Sequence, residues 1–414
     1  MEKLVVIGAG MASGRFLEHL TERNRERFEI TLFGAEALGT YNRILLSPVL
    51  AGEMALDEIV THGPDWYRER GITVHLGNAV TAIDRGKRQV ISRRGATPYD
   101  RLVIATGSAP AMPPLPGIGL RGVTAFRDID DLQRMLRVAQ VPGRRAVVIG
   151  GGLLGLEAAA ALHQRGMTVS VLHLKGHLMD RQLDPASAAL LAREFERRGI
   201  RIVLGAATRA ILGSGHVEAV ALEDGSVIEA DLVVMAAGIR PETRLATDAG
   251  LYVERGIVVD DGMATSDPAV LALGECAEHD GVCYGLVAPL YDMARVAAAR
   301  LHGGEATFRP VRTATQLKVS GVSVFSAGDF AGAGDREDIV LQDEAAGAYR
   351  RLVLKDGRLL GAVLYGDVTD GSWFFDLVRE GADTAPIREL MIFGRGLADS
   401  AALEPYGGRC SLPG

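Results

Sequence analysis

Cysteine is scarce. The chain has three, Cys276, Cys283 and Cys410, and no CxxC or CxxxxC spacing among its 414 residues. This excludes a redox-active dithiol and a four-cysteine iron–sulfur cluster held by this chain alone, and it fits a cytoplasmic protein. Positive charge is not in excess either: the net charge is −7. No long-range field would draw the chain to nucleic acid or an anionic membrane, and neither is expected as a partner. The most apolar stretch, 146–162, is broken by glycines and by Glu157, which argues against a membrane span. The opening "MEKLVVIG" starts a strand at once, with no charged n-region or apolar leader before it. No metal-ligating set and no general-base triad can be read from the sequence.

Glycine is plentiful, at 51 residues. It follows no G-x-y period, so it serves turns and close backbone approaches. Hydrophobic residues make up 48% and charged residues 23%, an ordinary globular balance. The length exceeds one ordinary core and predicts two or three domains.

Two stretches stand out: "LVVIGAGMASG" (4–14) and "AVVIGGGLLG" (146–155). Each reads as a buried strand turning on glycine into a helix. Further matches are collinear with them. "RERGITVHLGNAVTAID" (68–84) resembles "ERRGIRIVLGAATRAIL" (196–212), and "YDRLVIATGSAP" (99–110) resembles "ADLVVMAAGIRP" (230–241). The chain therefore holds one α/β unit twice. Each copy is expected to run strand, glycine turn, helix, second strand, helix, third strand, β-meander and a last strand ending on glycine. Ligands of such parallel sheets sit beyond the carboxyl ends of the strands. The last strands, ending at Ala105-Thr106-Gly107 and at Gly238, would return to those sites.

In the first turn Gly8 permits the bend, Gly10 lets a pyrophosphate approach, and Ser13 and Gly14 are small enough for helix–strand packing. The helix N-terminus then faces the phosphates. The second strand (28–36) ends near Glu36, a candidate acceptor for adenosine ribose hydroxyls. In the second turn Gly150, Gly152 and Gly155 hold the same places. Its second strand (167–174) ends on His173 where an acid would mark NAD. His173, Lys175, His177 and Arg181 are candidates to neutralise the 2′-phosphate of NADP, so the choice between NADH and NADPH stays open.

With these motifs the sequence resembles the two-dinucleotide-binding flavoprotein family, which includes glutathione-reductase-like enzymes. The resemblance implies FAD in the first unit and NAD(P)H in the second. It also implies a second FAD motif, matched by "TSDPAVLALGECA" (265–277), where Gly274 and Glu275 would meet the ribityl or pyrophosphate region. Closer still is the flavin portion of assimilatory nitrite reductase large subunits and of the electron-transfer subunits of assimilatory nitrate reductases. The pieces that carry this are 41–53, 178–191, 274–298, 313–329 and 366–394, from end to end of the chain. Two departures matter. Full-length nitrite reductase large subunits continue into iron–sulfur and sirohaem domains, whereas this sequence ends at "RCSLPG" with Cys410 alone, so nitrite reduction is not expected of it. Related ferredoxin reductases carry YxRxxLSK. Here Pro48 follows Ser47, so the lysine is missing, and Arg43 remains as a candidate flavin contact.

The implied chemistry is hydride transfer from nicotinamide to flavin. The helix opening at "GLVAPLYDMARVAA" (285–298) would aim its N-terminus, through Ala288 and Pro289, at the pyrimidine end of the ring, with Pro289 at a first helical position. Lys318 and Glu157 are the candidate catalytic residues, one beside the reduced flavin and the other beside the nicotinamide. Each could equally be a solvated surface charge. Cys276 and Cys283 read as core thiols or structural features near the flavin, so electrons must leave the flavin directly for a partner.

The fold class expected is α/β, with two duplicated Rossmann-like domains and a C-terminal α+β interface domain. FAD binding is assigned to 1–112 and 243–311, NAD(P) binding to 113–242, and the interface domain to 312–414. In the last, strands within 338–344 and 349–366 should form a hairpin at Asp356-Gly357, and 371–380 and 386–394 should be amphipathic helices. Trp373, Phe374 and Phe375 read as core, or as part of a dimer or partner surface. Arg350, Arg351, Arg379 and Arg388 read as a docking face for an acidic redox protein, or as solvated charge. Three functions follow. The first is an NAD(P)H-dependent FAD reductase feeding a separate nitrate or nitrite reductase component. The second is a similar reductase serving a rubredoxin or ferredoxin, a small iron–sulfur protein, in another pathway. The third is a non-enzymatic flavin-bound redox sensor. A homodimer is compatible with each.

Overall fold

The computed structural model describes residues 1–310, 314–332, 334–343 and 345–403. Cys410 lies outside them. The chain divides into two compact units. The first takes Met1–Pro113, Ala125–Leu136 and the stretch from Ala237 to 310; the second takes Pro114–Thr124, Arg137–Ala236 and the described residues from 314 on. The residues expected to form a separate C-terminal domain thus cluster with the second dinucleotide-type fold as one compact unit.

The first unit is built on a five-stranded sheet in the order Val270–Ala272, Arg101–Ile104, Glu2–Ile7, Phe28–Phe33, Thr73–His75. All its neighbours are parallel. Leu4, Val6, Leu102, Val103 and Ile104 are fully buried, as expected of strands covered on both faces. The helices Met11–Asn24 and Val287–Leu301 pack against each other over this sheet. Phe16, Leu17 and Leu20 of the former and Met293, Ala294 and Ala297 of the latter share one core, and the small alanines let the two helices approach closely. A three-stranded antiparallel meander, Val80–Asp84, Gln89–Ser92 and Gly95–Pro98, completes the copy.

The second unit repeats the plan. Its sheet runs Val123–Ala125, Leu232–Met235, Arg145–Ile149, Thr168–His173, Arg201–Leu204, and its meander is Thr208–Leu212, Ala219–Leu222, Val227–Glu229. The duplication read from the sequence is therefore present strand for strand over four positions. The fifth differs: the first sheet is closed by a strand from late in the chain and the second by one that precedes its own glycine turn.

The second unit also carries an antiparallel sheet in the order Thr315–Val319, Val322–Gly328, Arg358–Tyr365, Ala348–Lys355, Glu337–Asp343. The hairpin at Asp356-Gly357 forms as expected, with φ of +50° and +69°, the values a two-residue type I′ turn demands. The helix Gly371–Glu380 covers the sheet. Phe374 is fully buried beside Phe325 and Leu364, and Trp373 and Phe375 pack at the edge of the same core.

Two expectations fail here. Residues 386–394 do not form an α-helix. Short 3-10 turns occupy Ala385–Ile387 and Met391–Phe393, and Gly394 at φ +105° ends the run. Arg350 and Arg351 do not form a docking face. Arg350 pairs with Asp367 and Asp370, and Arg351 with Asp184 and Asp338; both side chains are largely buried. Arg379 and Arg388, which are exposed, pair with Asp376 and Glu337. Alternation along Ala348–Lys355 turns one arginine to each side, where carboxylates wait.

Candidate functional site

The carboxyl edge of the first sheet gathers most of the residues singled out above. Gly8 has φ +108°, and a Cβ there would lie 2.1 Å from the carbonyl oxygen of Ala105. Its glycine is needed for the crossing of neighbouring strand ends. A Cβ on Gly14 would press Thr40 at 2.7 Å, so this glycine serves packing. Ser13 is buried, and its Oγ donates to the Gly10 carbonyl at 2.9 Å. Gly10 differs from all three: a Cβ there would meet nothing within 4 Å. This open side faces the start of the helix Met11–Asn24, where unsatisfied N–H groups favour an anion.

Ala105 is buried, Thr106 donates to the Glu242 carbonyl at 2.7 Å, and Gly107 takes φ +69°. A Cβ on Gly107 would stand 3.9 Å from Glu275, and one on Gly274 3.2 Å from Ala12. The third motif is thus folded onto the first.

The acids here are already engaged. Glu275 accepts from Ser108 Oγ at 2.7 Å and from the Arg127 guanidinium. Glu36 accepts from the Tyr41 hydroxyl at 2.6 Å and from Arg43 at 2.5 Å, while Arg43 also donates to the Arg127 carbonyl at 2.8 Å. The two carboxylates that the sequence suggested separately therefore belong to one network: Tyr41, Glu36, Arg43, Arg127, Glu275, Ser108. Burial alone would weaken the charge on Arg43, and the Glu36 carboxylate more than reverses this. Burial and Glu36 push the Tyr41 phenol up against the opposing Arg43, so Tyr41 is a neutral donor. Arg127 and Ser108 went unnoticed in the sequence. Nothing in their spacing marks them, because Glu275 lies far along the chain.

The second sheet presents the second turn. Gly150 takes φ +129°, and Gly155 sits so close that a Cβ would lie 2.0 Å from the Gly150 carbonyl. Gly152 begins the helix Leu153–Gln164 without a side-chain cap, and a Cβ on it would meet nothing within 4 Å. Each turn thus has tight glycines and one open one, and both fit a dinucleotide pyrophosphate at an uncovered helix start. Glu157 is half-buried on that helix.

His173 corrects the reading that it neutralises a phosphate. Its ring is buried, and Nδ1 accepts the Gly151 N–H at 3.0 Å. Burial lowers its pKa, against the pull of Asp180, so the ring is a neutral part of the turn. Gly238, at φ +105°, follows the strand Leu232–Met235 but clusters with the first unit, where its carbonyl accepts from Ala111. Lys318 is exposed on the strand Thr315–Val319, opposite Ser323. Helix Val287–Leu301 starts two residues before Pro289, which is buried at the third position rather than the first; Ala288 is exposed. Cys276 is buried against the carbonyls of Leu273 and Ile104, and Cys283 is half-buried; neither is in a disulfide. Among the described residues no helix is long and apolar enough to cross a membrane. One group, Asp261, His279 and Asp280, has possible metal-ligand atoms within 4.8 Å of one another, but Asp261 is already committed to His279 and Arg309.

Comparison with known proteins agrees with this geometry. Residues 2–303 match the family described as pyridine nucleotide-disulphide oxidoreductase, and 314–382 match the rubredoxin NAD+ reductase C-terminal domain. The chain is 45% identical to a nitrite reductase [NAD(P)H] of Bacillus subtilis, over 94% of its own length and 49% of the relative's. It is 42% identical to an assimilatory nitrate reductase electron transfer subunit of the same organism, over 94% and 51%. It therefore spans about half the length of these curated relatives. The reductase chain in a crystal structure of a covalent putidaredoxin reductase–putidaredoxin complex superposes with a TM-score of 0.82 at 27% identity, covering 98% of this chain and 99% of that one. FAD and NAD(P)H, the cofactors expected from the two turns, fit this family and its NAD(P)H-linked members. With two glycine turns at two sheet edges and a family match from residue 2 to 303, the chain belongs to the pyridine nucleotide-disulphide oxidoreductase family.

Proposed function

We propose that the chain is an NAD(P)H-dependent FAD oxidoreductase that passes electrons to a separate nitrate or nitrite reductase component of nitrogen assimilation. The observation that carries this is the pair of glycine turns, each tight at two positions and open at one, in a chain 45% and 42% identical to nitrite and nitrate reductase subunits. A cytoplasmic location goes with it, supported by unpaired Cys276 and Cys283.

When bound, FAD takes a hydride from the nicotinamide coenzyme and yields its electrons onward. The residues would divide the work of holding it. Gly10 and Gly152 leave room for the two pyrophosphates, and the helices that follow supply N–H groups. Glu36 would accept hydrogens from the adenosine ribose of FAD, and Glu275 from the ribityl hydroxyls. Arg43 and Arg127 hold those carboxylates in place by hydrogen bonds. The helix N-terminus at Val287 would favour negative charge on the reduced ring, and Glu157 would flank the nicotinamide.

The test is anaerobic reduction of the FAD-loaded protein with NADH and NADPH separately, followed by ferricyanide and then by candidate iron–sulfur acceptors. Rapid bleaching of flavin absorbance and reoxidation by the acceptor are expected. A protein that stays yellow with both coenzymes refutes the proposal and leaves the sensor reading. The second reading, a reductase for rubredoxin in another pathway, is favoured by the match of residues 314–382. Reoxidation by a rubredoxin far faster than by any nitrate or nitrite reductase component would select it.

A further inference from the structure

The second glycine turn is covered by a short segment whose construction the preceding roles leave unused. Gly151 is its centre. Its N–H donates to His173 Nδ1 at 3.0 Å, and its carbonyl accepts from Met179 N at 3.0 Å. Leu178 and Met179 are fully buried, and a Cβ on Gly151 would collide with both Leu178, at 2.6 Å, and His173, at 2.9 Å. Met179 adopts φ +52°, an unusual conformation for a long side chain. This bend brings Asp180, about one-third exposed, to the rim beside the strand end.

His173 decides what Asp180 can do there. Because Nδ1 accepts a backbone N–H, the neutral ring must carry its proton on Nε2. That Nε2 is buried and has no hydrogen-bond partner. Asp180 Oδ1 lies 3.4 Å away, too poorly aligned to satisfy it. A buried, unsatisfied donor, in a side chain nine-tenths covered, thus stands beside a carboxylate at the end of the second strand, the edge where sheets of this kind take a dinucleotide.

Resting on the coenzyme reading of this turn, we propose that Asp180 is the carboxylate that reads the adenosine ribose of the nicotinamide coenzyme, with His173 as its positioning residue. The acid missing from the strand end is supplied seven residues later, from a segment pinned to the turn itself. Asp180 accepts hydrogens from the ribose hydroxyls, and the Nε2–H of His173 steadies it from behind. A 2′-phosphate would bring two negative groups together, so the chain is assigned to NADH. The cations at the rim, Lys175 and Arg181, are exposed, and no buried group aims them.

The test uses the FAD-loaded protein and calorimetry with ADP-ribose and 2′-phospho-ADP-ribose, which need no turnover. Wild type should bind ADP-ribose at least about tenfold more tightly than its 2′-phosphate. Asp180→Asn should weaken ADP-ribose about tenfold and remove most of the discrimination. His173→Asn, which can still accept from Gly151 but lacks Nε2–H, should lose part of the discrimination while keeping 2′-phospho-ADP-ribose binding. Tighter binding of the 2′-phosphate by wild type, abolished by Lys175→Ala or Arg181→Ala, overturns the proposal. So does an unchanged ratio in Asp180→Asn. If neither ligand binds wild type, the coenzyme reading of the turn fails, and this inference with it.

Discussion

Replacing Gly8 and Gly10 by alanine should separate fold from ligand at the first turn. Gly8→Ala forces a side chain into φ +108°, which costs about 1–2 kcal/mol. It also places a methyl 2.1 Å from the Ala105 carbonyl. The strand ending there cannot retreat cheaply, because Ala105 N donates to the Ile7 carbonyl at 2.8 Å and Leu102, Val103 and Ile104 are fully buried. Relief of that overlap adds about 1–3 kcal/mol, so Gly8→Ala should destabilise the apoprotein by about 2–5 kcal/mol. Gly10→Ala meets nothing within 4 Å and should leave apoprotein stability within about 0.5 kcal/mol. Its methyl fills the open side, so FAD affinity should fall at least about tenfold, or about 1.4 kcal/mol. Urea unfolding of the apoprotein and quenching of flavin fluorescence measure the two effects. Equal destabilisation by both substitutions, or wild-type FAD affinity in Gly10→Ala, would refute the division of labour.

The second turn should behave alike: Gly155→Ala lowers stability in urea, and Gly152→Ala weakens coenzyme binding in calorimetry without doing so. Arg127→Met removes the cation from the partly buried Glu275, and FAD titration should show roughly tenfold weaker binding. Tyr349→Phe takes a 2.6 Å hydrogen bond from the buried Asp184, and urea unfolding should report a loss of about 1–2 kcal/mol. Two aspartates of the second unit are held at about 2. For Asp231, burial works upward and the donors from Arg145 and Arg144 overcome it; for Asp367, the Thr369 hydroxyl and N–H lead, with Arg350 adding. Both lie below the unfolded value of about 3.9. Their stabilisation is therefore full above about pH 4–5 and is lost as pH falls toward 2. Denaturation profiles at pH 7, 4 and 3 should show this slope, and Asp231→Asn should flatten it.

The parts of the site built from local pattern could be read from the residues alone. Gly8, Gly10, Gly150 and Gly152 announce themselves because a strand, a tight turn and a helix follow one another within a few positions. The hairpin at Asp356-Gly357 is legible for the same reason. What could not be read depends on distance along the chain. Arg127 and Ser108 meet Glu275 only once the sheet has formed. His173 looks like a surface cation until the glycine turn folds over it. Arg350 and Arg351 look like an exposed basic pair because strand alternation does not reveal which carboxylates stand on either side. Residues 386–394 have helical periodicity, but they fold as two separate 3-10 turns, Ala385–Ile387 and Met391–Phe393, and Gly394 ends the second.

The first sheet takes its last edge from Val270–Ala272, which pairs with a strand completed at Ile104. As the polypeptide leaves the ribosome, Arg101–Ile104 must wait for the whole second glycine-turn copy to be made before that neighbour arrives. At synthesis rates of about 5–20 residues per second this leaves the apolar run Leu102–Ile104 with one open side for on the order of ten seconds. An unguarded edge of that kind invites pairing with other nascent chains. The yield of native protein in cells should therefore depend on translation speed and chaperone supply more than the stability of the finished molecule suggests.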